Sequence, residues 1–221
     1  MSIDKGEKLK ASDIISGTIE TAIAAIPGVG LYFSAIQAVQ QNAMQRRFQT
    51  WQEAVERKLN ELSDTVKQSL GDNEAFATVL VKATQLAAQT NAQKMEYLAN
   101  ALKYAAEHPM DEDRLVIYLN CLEKYTLSHL LILDYFYDPM PYENSKTYLA
   151  GGVMTYFYDK YPTFDQQLGN VIMEDLFRDG LTTTHGNGTV SSGGMMVKRT
   201  SSLGDGFIEF IGRYNHENAE R

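Results

Sequence analysis

The chain has 221 residues, 44% of them apolar, a formal net charge of −8 and a single cysteine. That apolar share supplies a core over this length and argues against overall disorder, while the acidic balance leaves no global attraction for phosphate backbones or anionic lipid. With only Cys121 there is no intrachain disulfide and no thiolate cluster, which fits a reducing compartment and a cytoplasmic protein.

Residues 1–10 are charged and polar with acids among the lysines, which does not match a secretory leader. Residues 14–39 then carry one charged side chain, Glu20, and are split by Ile26-Pro27-Gly28-Val29-Gly30. Each half is about half of the ~20 residues a membrane span needs. The first half places Ile14, Ile15, Thr18, Ile19, Ala22, Ile23 and Ile26 at helical spacing from a Ser12 cap, and Pro27 with Gly28 reverses the chain. Ile19, Ile23, Ile26, Pro27 and Gly28 therefore mark a hairpin that packs on its own bundle, on a second copy or, as the minority reading, in a membrane. Arg46-Arg47 would then sit at headgroup level.

A second helix is predicted over residues 29–70, with no Pro inside after Gly30 and an apolar stripe at Phe48, Trp51, Val55, Leu59, Leu62, Val66 and Leu70. Its three-four-four steps give a period of about 3.67, a nearly straight helix. Such a stripe either packs on neighbours in the same chain or pairs with a second copy, so Phe48, Trp51, Val55, Leu59 and Leu62 form a candidate interaction surface. Gly71-Asp72-Asn73 ends this helix, and helical spacing resumes over residues 74–107 with a possible break at Thr90-Asn91. Long helices joined by short turns predict an antiparallel bundle over residues 1–109.

His108-Pro109 breaks the pattern, and helical spacing continues from a cap at Asp111 as far as Phe136. Asp138-Pro139-Met140-Pro141 forces a loop; a helix is expected over residues 145–158; and Thr163 with Gln166 predicts a capping box opening a helix to Arg178. Leu181-Thr182-Thr183-Thr184 and residues 195–200 look like the two strands of a hairpin around His185-Gly186-Asn187-Gly188, and Ser202 with Asp205 starts a last helix.

Helix, helix, helix, β-hairpin, helix from about residue 126 to 213 resembles a winged-helix domain. The similarity rests on the Leu130 to Phe136 helix, the Val171 to Leu181 stretch, and Thr200 to Gly204 followed by Phe207 and Phe210, a pattern similar to the wing of small bacterial regulators. The resemblance implies a domain over residues 110–221 whose third helix, in many members, enters the DNA major groove. Here that helix carries Asp165, Glu174, Asp175 and Asp179 against Arg178 alone, and Lys198-Arg199 is the only basic pair on the expected wing. Such a surface repels phosphate, so a protein contact fits better.

No catalytic constellation emerges. His108, His129, His185 and His216 have no His or Cys partner at metal-ligand spacing, and Asp111-Glu112-Asp113 is the acidic start of a helix. The glycines near residues 186–194 lack the Lys-Ser or Lys-Thr of a phosphate loop, and the tyrosines from 135 to 161 read mainly as packing. The expectation is a mainly α, non-enzymatic, prokaryotic cytosolic interaction or self-associating module with no metal, no cofactor and no nucleic-acid partner. Its alternatives are a membrane-active helical effector and a winged-helix transcription regulator.

Overall fold

A computed structural model describes residues 42–140, 147–186 and 188–213. The expected apolar hairpin, with Ile19, Ile23, Ile26, Pro27 and Gly28, lies outside the described residues. The described chain is mainly helical with one small antiparallel sheet, and it divides into two compact units at Glu123/Lys124. That division falls one helix later than the break expected after Pro109.

The first unit holds α1 (Asn42–Asn60), α2 (Asp64–Ser69), a 3-10 turn (Leu70–Asp72), α3 (Glu74–Ala87), α4 (Ala92–Glu107) and α5 (Glu112–Lys124), which ends at the boundary. Cross-helix bonds give the directions. Trp51 reaches Thr84 and Arg47 reaches the Ala88 carbonyl, so α1 runs against α3. Arg57 pairs with Glu96 and Lys103 with Glu61, so α1 runs with α4. Asn73, at the start of α3, donates from Nδ2 to the carbonyl of Ala105, near the end of α4.

The single long helix expected to reach Leu70 is instead two. Ser63 competes with the helical backbone, its Oγ accepting the Val66 N–H at 3.4 Å, and this cap starts α2. The apolar spacing carries through the break because Leu62 and Leu70 both turn into the core. Asn91 caps α4 by accepting from the Lys94 N–H, at the break anticipated near Thr90-Asn91. The helical run expected to continue to Phe136 is also interrupted, because Thr126 caps a new helix.

The second unit comprises α6 (Leu127–Tyr137), β1 (Ala150–Gly152), α7 (Thr155–Lys160), α8 (Gln166–Arg178), β2 (Thr189–Ser191), α9 (Ser192–Met195) and α10 (Ser202–Ile211). Both α8 and α10 pack on α6. Phe157 sits inside a ring cluster with Tyr135 and Phe164 at centroid distances of 5.3 and 5.2 Å.

Three sequence expectations change here. Within the described part of the helix expected over residues 145–158, the helix begins at Thr155, because Gly151-Gly152, poor in helix propensity, takes part in β1. The cap of α8 is Asp165, not Thr163: its carboxylate accepts the Leu168 N–H at 2.7 Å. The returning strand expected at residues 195–200 shrinks to one antiparallel bridge, Thr182 to Thr200, while β2 pairs with β1 in the register Gly151 to Val190. Ser191 diverts the chain by accepting the Gly194 N–H and opening α9.

Candidate functional site

The helix α8 presents three distinct faces, set by its sequence. Gly169, Ile172, Met173 and Leu176 recur at i, i+3, i+4 and i+7 and are buried. The turn after it needs a left-handed residue: Gly180 has φ +77°, and the Leu181 N–H returns to the Leu176 carbonyl at 2.9 Å.

The second face is a polar cluster at the end of the helix. Asp179 accepts hydrogen bonds at 2.7 Å from both Lys124 Nζ and the Tyr125 hydroxyl. Burial pushes the Asp179 carboxyl up, but these two bonds and the charges of Lys124 and Arg178 outweigh it and hold the group below the usual aspartate range. Asp175 pairs with Arg178 and stands 3.5 Å from His129 Nε2. His129 is buried and stacked on Tyr125, 4.9 Å between ring centroids. Its Nδ1 accepts the Thr126 N–H at 3.3 Å and lies 2.9 Å from the Thr126 hydroxyl. Hydroxyl, imidazole and carboxylate thus fall in a row. Yet the Thr126 to His129 link is the capping box that starts α6, so helix capping accounts for the arrangement.

The third face points to water. Leu168 is 47% exposed and Val171 60% exposed, with Gln167 and Asn170 beside them and Glu174 engaged by His185 at 3.1 Å. Two large apolar side chains three residues apart occupy this outer surface, with Glu174 one turn further along it and Arg178 at its far end.

Among the residues expected to form an interaction surface, Trp51, Val55 and Leu62 are buried in the first unit, and Phe48 and Leu59 are half-buried. Trp51 is anchored by its Nε1–H, which donates to the Thr84 hydroxyl at 3.2 Å. Neighbours in the same chain therefore account for most of this stripe. Sequence reasoning passed over Leu168 and Val171, although both fall off the 169, 172, 173, 176 stripe and a wheel drawn from residue 165 marks them as outward. It also passed over Val116 and Ile117, which sit in the unbroken run Leu115-Val116-Ile117-Tyr118-Leu119, where no polar residue marks the outer side.

Among the described residues no group of three or more His, Cys, Asp or Glu side chains is placed to hold a metal ion, and no helix is long and apolar enough to cross a membrane. No family model, curated protein or solved structure matches the chain.

Proposed function

We propose that this chain is a non-catalytic protein-interaction module, in which a helical bundle is joined to a winged-helix-like unit that uses its third helix for protein contact. The observation that carries this is the outer face of α8, where Leu168 and Val171 stand 47% and 60% exposed on a helix whose charges are mostly carboxylates. Paired apolar residues in an acidic frame favour a protein surface over a phosphate backbone. The winged-helix reading is supported by the order α6, α7, α8, α10, by the Thr182 to Thr200 bridge after the third helix, and by a small sheet joining residues before α7 to residues after α8.

The test is a photo-crosslinking amino acid at position 171 of the full chain, expressed in the cells of origin. A discrete protein adduct is expected, and Leu168→Asp should abolish it without lowering the melting temperature, since that side chain already meets water. Adducts to nucleic acid, or none above the level given by a crosslinker at Gln68, an exposed position of the first unit away from α8, would overturn the reading.

A further inference from the structure

On the first unit, α3 and α5 leave an open groove of about 480 Å³ between them. Its floor is apolar, formed by Ala77 and Val81 from α3 and by Val116 and Leu119 from α5, and Lys82 and Gln85 stand along it. Val116 is 48% exposed and the adjoining Ile117 40%, so two β-branched side chains remain in water at this place.

The charges around it are uneven. Lys82 is matched by Glu123 at 2.5 Å, and Arg114 by Asp111 at 3.6 Å. Glu112 and Asp113, in the first turn of α5, are exposed and have no ion-pair partner among the described residues. They precede Val116 by four and three residues, a spacing that puts them on the same side of the helix. The apolar floor is therefore preceded along α5 by two exposed carboxylates that no Lys or Arg among the described residues pairs with. No strand lies in this unit among the described residues, so an extended peptide has no sheet edge to join here.

We propose that this groove docks an amphipathic helix of a partner protein. That helix lays apolar side chains at i, i+3, i+4 and i+7 over Val81, Val116 and Leu119, and brings Lys or Arg to Glu112 and Asp113. The inference is independent of the α8 surface, since it rests on a different unit and different residues.

The test uses the full chain and two labelled helical peptides of identical Leu spacing, one with Lys and one with Glu at the remaining positions, followed by fluorescence anisotropy at about 100 mM salt. The Leu/Lys peptide should bind at least tenfold more tightly than the Leu/Glu peptide. V116N/I117N should weaken it at least tenfold, and E112Q/D113N should remove most of the preference for Lys. Circular dichroism should show the helical content of the parent chain in both variants, which ties the loss of binding to the groove. Equal affinity for the two peptides, or affinity unchanged by V116N/I117N, would overturn the proposal. Two other occupants would also overturn it: a dimer seen by light scattering and dissolved by V116N/I117N would assign the groove to a second copy, and tighter peptide binding in full-length I19D would assign it to the chain's own apolar N-terminal stretch.

Discussion

At the scale of single residues, two buried contacts make direct predictions. The Trp51 indole N–H has its acceptor in Thr84, and both residues are almost wholly out of water. Thr84→Val keeps the shape but strands that donor, so it should cost about 1–3 kcal/mol, read as a lower urea midpoint at unchanged slope, whereas Thr84→Ser should cost less because the acceptor survives. Asp179 makes a prediction in pH. Its carboxyl is held below the ordinary aspartate range when folded, so its contribution is fully present above the unfolded value of about 3.9 and is lost as pH falls through the folded value. Asp179→Asn should flatten the acid limb of the stability curve in that window and lower stability at neutral pH. An acid limb identical to that of the parent chain would show that the Lys124 and Tyr125 bonds do not favour the charged form.

At the scale of elements, caps and one close approach decide where helices begin and dock. Asn73 serves twice, its Oδ1 accepting the Phe76 N–H at 2.9 Å and its Nδ2 donating to the Ala105 carbonyl at 2.9 Å. Asn73→Ala should cost about 1–2 kcal/mol, and Asn73→Asp, which keeps the cap and loses the cross-helix donor, roughly half of that. Chemical denaturation of the two variants checks the order. The start of α10 is fixed by Ser201, whose Oγ accepts the Gly204 N–H at 3.0 Å, and by Gly204 itself, which lies against the backbone carbonyl of Leu181. A Cβ there would run into backbone that cannot rotate away. Gly204→Ala should therefore lose about 1–3 kcal/mol in a thermal melt, while Gly193→Ala, with open space around its added methyl, should stay within about 0.5 kcal/mol of the parent.

At the scale of the whole molecule, charge is the property that matters. The net charge of −8 is set against a third helix whose acids outnumber its one arginine, so duplex DNA should show no retardation at about 100 mM salt. Micromolar, salt-sensitive retardation would contradict both the proposed protein contact and the reading of α8. The groove on the first unit and the outer face of α8 are built from different residues, so each reading is tested by its own variants.

Much of this was legible in the chain before it was folded. Helical periodicity, the Pro and Gly breaks and the cap residues determined that the described molecule is mainly helical, because these signals act within a few residues of chain. The lack of basic residues on the third helix was equally local. The tertiary structure decided the rest. Ser63 and Thr126 could each have stayed inside a helix; in the folded chain each caps a new one, and Leu62 and Tyr125 beside them are buried. The pairing of Ala150–Gly152 with Thr189–Ser191 joins segments far apart in sequence, and nothing in either three-residue stretch names the other. Trp51 and Val116 are both apolar residues on helices, yet one is buried and the other half in water. That difference depends on which neighbouring helix covers each face, a property of the assembled bundle and not of either segment alone.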